Sequence, residues 1–198
     1  MEPPWSEANY VPLAKWPTSP LRAAITSPGS VQRVAKLSAG VLLYRLAGAD
    51  VEVLIVHPGG PFWARKDIGA WSVPKGEYAD DEDPWAAAQR EFAEELGSPP
   101  PPGPRIDLDP VRQAGGKVVT AFAVGGDFDP ATAVSNTFSI ELPKGSGRLV
   151  EFPEIDRVAW VSVATARTKL LTGQRPLLDQ LMAAPELAGY GEGLAADG

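Results

Sequence analysis

Acidic side chains crowd residues 76–98, and their types and spacing suit the binding of a divalent cation. The stretch has a single basic residue, Arg90, so the chain outside it is balanced in charge and the whole net charge of −7 belongs here. The acidic residues are Glu77, Asp80, Asp81, Glu82, Asp83, Glu91, Glu94 and Glu95. Carboxylate oxygens are the ligands that Mg²⁺ prefers, and protein-bound Mg²⁺ commonly engages phosphate groups. The stretch therefore predicts a metal site for phosphate chemistry.

The second half of this stretch is predicted to be a helix. Asp83 followed by Pro84 is a start signal, with a capping carboxylate and a proline at the first helical position, and Gly97 is a stop signal. At about 100° per residue, Glu91, Glu94 and Glu95 share one sector beside the apolar stripe. The helix would thus present three carboxylates together.

Two interpretations of these carboxylates compete. Most charge runs are solvated helix faces, and Arg90 could simply brace the helix through its i, i+4 pair with Glu94. Against this, like charges three or four residues apart destabilise a helix by a few tenths of a kcal/mol, and no basic residue at the right spacing relieves Glu95. Because a hard cation would relieve it, the metal interpretation is favoured.

The segment before the helix is predicted to lead from the sheet to the site. Residues 71–74 (Trp-Ser-Val-Pro) are typical of a short strand, and residues 75–77 (Lys-Gly-Glu) are expected to begin a polar loop of about seven residues. Gly76 would let the backbone approach a ligand or a metal closely.

This arrangement resembles the signature of the Nudix hydrolases, G-x5-E-x7-R-E-U-x-E-E-x-G-U, in which U is a bulky apolar residue. The matching positions are Gly76, Glu82, Arg90, Glu91, Phe92, Glu94, Glu95 and Gly97, and only Ser98 departs, at the final apolar position. A motif of this length is far more specific than a lone glycine-rich loop. The resemblance implies an α/β fold, the Nudix α/β/α sandwich with a mixed central β-sheet.

The resemblance also implies a role for each matching residue. Glu94 and Glu95 would be metal ligands, Glu91 a ligand or the general base, and Arg90 and Glu82 would orient the others through a salt bridge. The predicted catalytic set is Glu91, Arg90, Glu82 and Glu94. The predicted metal set is Gly76, Glu91, Glu94, Glu95 and Glu151. The implied cofactor is Mg²⁺, for which Mn²⁺ can substitute.

Glu151 enters this set as a carboxylate from outside the motif. Glu154 is its alternative, since both precede the strand predicted at residues 158–161, and an ordinary surface turn explains the pair equally well.

Residues 57–66, 71–77 and 169–179 resemble the branch that includes diadenosine tetraphosphate hydrolases and predicted nucleoside triphosphate pyrophosphohydrolases. Lys75, Arg65 and Lys66 are candidate phosphate contacts, and Trp63 or Phe138 is a candidate for stacking a base. For any one of these five, a surface cation or a core aromatic is the simpler interpretation. His57, at a strand end before a proline, is predicted to be structural.

Three functions follow. The favoured one is cleavage of a phosphoanhydride in a dinucleoside polyphosphate such as diadenosine tetraphosphate. The runner-up is a housecleaning, MutT-like pyrophosphohydrolase of nucleoside triphosphates. The third is a non-catalytic Nudix-like nucleotide-binding module, against which the intact carboxylates argue.

Composition narrows the remaining classes of function. With no cysteine, disulfides, thiolate metal sites and a cysteine nucleophile are excluded, and a single histidine leaves little room for histidine catalysis. A pI near 4.8 argues against membrane binding and broad nucleic-acid binding. In the absence of a long apolar run or a signal peptide, we expect a soluble, cytoplasmic protein.

Length and punctuation predict one domain over residues 34–184, a proline-rich arm over residues 1–33 and a tail over residues 185–198. Aromatic residues in the arm (Trp5, Tyr10 and Trp16) suggest docking on the domain, or on a partner subunit as a homodimer. Predicted strands cover residues 40–44, 51–56, 137–142 and 158–161, a hairpin joins 111–113 to 117–124, and helices cover 163–171 and 176–184.

Overall fold

One mixed β-sheet organises residues 36–190, the part of the chain that the computed structural model describes. The strands are β1 (Leu37–Ala47), β2 (Asp50–Pro58), β3 (Lys75–Glu77), β4 (Arg105–Asp107), β5 (Val111–Arg112), β6 (Val118–Gly125), β7 (Thr137–Glu141), β8 (Leu149–Pro153) and β9 (Ile155–Ser162). The helices are α1 (Pro84–Leu96), α2 (Val163–Lys169) and α3 (Arg175–Ala183), with 3-10 helices at Ala114–Gly116, Pro130–Thr132, Thr172–Gln174 and Pro185–Leu187.

The sheet runs in the order β4-β6-β1-β2-β9, with β3 added to β1 and β5 added to β6. β1 is parallel to β6 and antiparallel to β2 and β3, so the sheet is mixed. Val41 and Leu43 face α1 while Leu42 and Tyr44 face the side of α2 and α3, and all four are buried. Because both faces are covered, β1 is apolar on both sides. The predicted α/β/α sandwich is confirmed.

Helix α1 begins and ends where the sequence predicts. Asp83 Oδ1 accepts a hydrogen bond from the Ala86 amide at 2.8 Å, which caps the first turn. Gly97 has a φ of +83°, in the left-handed region, and donates to the Ala93 carbonyl. Phe92 and Leu96 are fully buried against the sheet, and each such burial stabilises the fold by about 1.5–3 kcal/mol. The carboxylate face of α1 is therefore firmly placed.

The prediction for residues 71–77 is wrong in detail. Residues 71 and 72 form only isolated bridges, and the strand lies at Lys75–Glu77, where a polar loop was expected. β3 can pair with β1 because Gly40 leaves room for the incoming backbone: a Cβ there would lie 2.5 Å from the Pro74 carbonyl oxygen. The start of the acidic motif is consequently part of the sheet.

The remaining predicted helices and strands are present, but one of the strands lies outside the main sheet. The hairpin of β5 and β6 and the two C-terminal helices are present. The strand expected at residues 137–142 is β7, which pairs with the unpredicted β8 in a separate two-stranded ribbon. Leu187 is only 2% exposed and belongs to the core, so the folded domain continues beyond residue 184.

The predicted arm at residues 1–33 and the end of the predicted tail, residues 191–198, lie outside the described residues. Among residues 36–190, no helix has the length and apolar character needed to cross a membrane.

Candidate metal and phosphate site

Arg90 gathers the acidic side chains at the outer face of α1. Its guanidinium contacts Glu91 Oε1 at 2.5 Å, Glu82 Oε1 at 3.2 Å and Glu94 Oε1 at 3.5 Å. It also donates to the Glu77 carbonyl at 3.4 Å, which ties α1 to β3. The carboxylate partners raise the pKa of Arg90, and the hydrogen bond that Arg90 donates to Glu91 is the main cause. The salt bridge between Arg90 and Glu82 expected from the motif is present.

Gly76 and Glu91 fit one another closely. A Cβ built on Gly76 would lie 1.6 Å from Glu91 Oε2, so the carboxylate occupies the space that any side chain at position 76 would need. Burial raises the pKa of Glu91, while the hydrogen bond and the charge of Arg90 oppose that effect. The glycine of the motif is thus explained by the seat it provides for a carboxylate.

Glu95, one turn of α1 after Glu91, lies beside Lys75 of β3. Glu95 Oε2 accepts a hydrogen bond from the Lys75 amide at 3.1 Å. Burial raises the pKa of Glu95 and lowers the pKa of Lys75, and the attraction between their opposite charges counteracts both effects. A cation close to Glu95 would favour its charged form further.

A cavity of about 280 Å³ opens beside this pair. Its walls are mostly apolar, and its charged groups are Lys75, Glu95 and Glu154. The other lining residues are Val56, Pro58, Trp63, Ala70, Ser72, Ile155 and Leu171. A site of this kind can hold an apolar ring while the charged end handles phosphate or metal.

The donor set matches a hard divalent cation in its chemistry. Glu91, Glu94 and Glu95 offer only oxygen donors from one helix, which suits Mg²⁺ or Mn²⁺. No group of three acidic or histidine side chains among residues 36–190 is arranged to hold a metal as it stands. The reason is that Glu91 and Glu94 are turned towards Arg90 while Glu95 faces Lys75. The metal roles of these residues, and of Gly76, remain predictions.

Of the two carboxylates considered from outside the motif, Glu154 and not Glu151 lies near Glu95. Glu154 lines the cavity together with Glu95, and its charge contributes to the raised pKa of Glu95. Glu151 is an exposed residue of β8 that pairs across the ribbon with Ser139. The sequence could not separate the two, because β8 is a strand recognisable only from its partner.

Among the five predicted substrate contacts, Lys75 and Trp63 line the cavity. Lys66 does not line the cavity, but its ammonium lies 4.5 Å from the centre of the Trp63 ring, which does. Arg65 is exposed on the loop of residues 59–70. Phe138 lies on β7, where it packs near Phe152 and would contact a side chain at Gly60.

His57 serves a structural purpose, as predicted, but through contacts that the sequence does not reveal. Its ring is fully buried, with Nδ1 2.6 Å from Asp156 Oδ1 and Nε2 2.9 Å from the Lys66 carbonyl. Arg157 also reaches this nitrogen and stacks over Trp71. His57 and Arg157 both contact the Lys66 carbonyl, so they hold the loop that carries Trp63.

Known proteins share this fold. The sequence model described as "NUDIX domain" matches residues 35–181. A search of curated proteins finds no significant match. Among solved structures, the chain resembles the NUDIX domain of Shewanella oneidensis NrtR complexed with ADP ribose, with a TM-score of 0.51, 17% identity, and coverage of 88% of this chain and 92% of that one. It also resembles a C. elegans Ap4A hydrolase binary complex, with a TM-score of 0.50, 20% identity, and coverage of 79% and 100%.

At these identities the two structures speak for the fold, whereas the sequence match spans most of the chain and includes the whole carboxylate motif. The chain therefore belongs to the NUDIX domain family, and its enzyme class is that of a hydrolase acting on phosphoanhydrides.

Proposed function

We propose that this protein is a divalent-metal-dependent hydrolase that cleaves a phosphoanhydride of a nucleoside polyphosphate, with a dinucleoside polyphosphate such as diadenosine tetraphosphate as the favoured substrate. The observation that carries the proposal concerns two carboxylates of α1. Glu95 lines the cavity, and Glu91 packs against Gly76 of β3. Carboxylates and a ring-sized cavity thus lie next to each other.

Glu91, Glu94 and Glu95, with Glu154 as the outer carboxylate, are the residues that would hold Mg²⁺ or Mn²⁺. When bound, such an ion neutralises phosphate charge and lowers the pKa of a bound water. Arg90 keeps Glu91 and Glu82 oriented through its ion pairs with both carboxylates. Lys75, which lines the cavity, would meet a phosphate oxygen as a point charge.

The cavity supports a substrate that carries an aromatic ring. Trp63 offers a stacking surface that is worth about 1–3 kcal/mol per base, and Lys66 is already held over that ring. A second nucleoside would add stacking area beyond what a triphosphate offers. The similarity to an Ap4A hydrolase is in keeping with this substrate.

The same experiment distinguishes two alternative functions. A nucleoside triphosphate would need one base site, for which the cavity is the candidate, and would make the protein a MutT-like pyrophosphohydrolase. A non-catalytic module would bind nucleotide without turnover, and ADP-ribose, which the NrtR NUDIX domain holds, is a suitable probe for it.

The test is a substrate panel of diadenosine tetraphosphate, ATP, dGTP and ADP-ribose, assayed with Mg²⁺, with Mn²⁺ and with excess chelator. We expect hydrolysis with either metal and none in chelator. We also expect a higher kcat/KM for the dinucleotide than for the triphosphates, provided that the extra stacking persists in the transition state. A triphosphate preference would promote the MutT-like alternative, and binding without turnover would promote the third.

Trp63→Ala and Phe138→Ala form a matched pair within this panel, since Trp63 lines the cavity and Phe138 does not. The first should narrow the preference for the dinucleotide more than it slows triphosphate cleavage. The second should leave that preference near the wild-type value. Equal effects of the two substitutions would remove Trp63 from the substrate site.

A further inference from the structure

A buried amide from the C-terminal part of the chain holds the backbone just before the acidic motif. Gln174, in the 3-10 helix Thr172–Gln174, is completely buried. Its Oε1 accepts from the Val73 amide at 2.9 Å, and its Nε2 donates to Ser72 Oγ at 2.9 Å. Ser72 Oγ in turn donates to the Val73 carbonyl at 2.8 Å. We call these three residues the Gln174 clamp.

The clamp acts where the sheet offers no partner. Ser72 exchanges two backbone hydrogen bonds with Val56 at 2.9 Å each, but Val73 has its amide and its carbonyl served by side chains. One residue later, the Pro74 carbonyl accepts from the Val41 amide and ladder pairing with β1 begins. The Gln174 clamp therefore sets the position at which the chain enters β3.

That position matters because two carboxylates depend on the next two residues. The Lys75 amide donates to Glu95, and Gly76 provides the seat for Glu91. The space is tight on both sides, since a Cβ on Gly40 would meet Pro74 and a Cβ on Gly76 would meet Glu91. A displacement of a few tenths of an ångström at Val73 would be passed to both contacts.

We infer that Gln174 is a positioning residue of the hydrolytic site, acting through Ser72 and the Val73 backbone on the carboxylate seats at Lys75 and Gly76. The expected effect on turnover rests on the proposed function. The expected effect on the position of the carboxylates does not, because it can be measured without turnover. Gln174 lies outside the acidic motif, and its side chain makes its hydrogen bonds with Ser72 and Val73, not with a carboxylate.

The experiment compares Gln174→Met with Gln180→Met, because both glutamines hold backbone through their amides. Gln180 accepts from the Asp109 amide at 2.6 Å and donates to the Asp109 carbonyl at 3.2 Å, in a part of the fold away from the carboxylates. Methionine keeps the volume and removes the hydrogen bonds. Four quantities are measured in the full chain: Mn²⁺ affinity from the EPR signal of free Mn²⁺, amide hydrogen exchange over residues 72–78, thermal stability, and kcat and KM.

We expect Gln174→Met to weaken Mn²⁺ binding by roughly 10-fold, the lower end of the range for loss of a group bonded directly to a metal ligand, because Gln174 acts through the Val73 backbone. Exchange at residues 73–76 should accelerate, and kcat should fall more than KM rises. Gln180→Met should change stability alone. If the two variants share the same Mn²⁺ affinity and the same exchange at residues 73–76, the inference is overturned.

Ser72→Ala removes the two hydrogen bonds of Ser72 Oγ but keeps the one from the Val73 amide to Gln174 Oε1, and it guards against a Gln174 variant that does not fold. It should shift Mn²⁺ affinity in the same direction by a smaller factor. The double variant should be no worse than Gln174→Met, because the residues act as a unit. If the wild type hydrolyses nothing in the panel, the proposed function fails, while Mn²⁺ affinity and hydrogen exchange still decide the positioning role.

Discussion

At the scale of single residues, a missing side chain defines the site. Glu91 fills the volume beside Gly76, and what a Cβ would strike there is the end of a flexible side chain rather than backbone. A substitution at this position would therefore displace the carboxylate and leave the strand in place.

Gly76→Ala should lower kcat strongly while changing the free energy of unfolding by less than about 1 kcal/mol, since the carboxylate can swing away. Gly48→Ala is the matched control. Its φ of +67° is unfavourable for alanine, but nothing lies within 4 Å of the added Cβ, so it should lose about 1–2 kcal/mol of stability and keep its activity. Thermal denaturation and steady-state kinetics separate the two. Wild-type turnover in Gly76→Ala would mean that the seat has no catalytic importance.

Four carboxylates can be ranked by the effect of their substitution on kcat: Glu94, Glu95, Glu151 and Glu154. Glu94→Gln and Glu95→Gln keep side-chain size and remove a metal donor, so each should lower kcat by at least about 100-fold. Glu154→Gln should lower kcat more than Glu151→Gln, because only Glu154 lines the cavity with Glu95. The reverse order for the last pair would restore Glu151 as the outer carboxylate.

At the scale of elements, two of the contacts that hold the loop of residues 59–70 differ in burial. His57 binds the Lys66 carbonyl from a fully buried position. Lys169 binds Asp67 at 2.6 Å from the surface side. Because Trp63 lies on this loop, its order in the cavity depends chiefly on the buried contact.

His57→Leu should lower the free energy of unfolding by about 1–3 kcal/mol, since it removes the polar contacts of a fully buried ring with Asp156 and with the Lys66 carbonyl, each worth about 0.5–1.5 kcal/mol. It should also raise KM for a dinucleotide by loosening Trp63. Lys169→Met breaks an exposed salt bridge of the same loop and should change stability by at most about 1 kcal/mol. Denaturant titration with parallel kinetics tests both, and an unchanged KM in His57→Leu would show that the loop is ordered by other contacts.

What the sequence could predict here depends on the distance over which each feature is determined. The bounds of α1 follow from Asp83, Pro84 and Gly97, all local signals, and the prediction was right at both ends. β3 was predicted as a loop because its strand character comes from β1, through the space that Gly40 leaves. Gln174 lies in residues 169–179, whose resemblance to a branch of the family gave it no role, because its partner lies about a hundred residues earlier.

At the scale of the whole molecule, the described fold contains the motif, the cavity and both fastenings of the Trp63 loop. Removal of residues 1–30 should therefore leave metal-dependent hydrolysis largely in place. Kinetics and size-exclusion chromatography of the truncated and full chains check this. A loss of activity together with a change in size would support the predicted homodimer through the arm, and a loss of fold would make the arm part of the core.

The contacts that complete the site also set the order in which it can be built during synthesis. Val73 waits for Gln174, which follows it by 101 residues, and His57 waits for Asp156, which follows it by 99. A nascent chain that already carries every carboxylate of residues 76–98 outside the ribosome still lacks both contacts. Long-range closure of this kind slows folding, so we expect the clamp on Val73 to form only after residue 174 has left the ribosome.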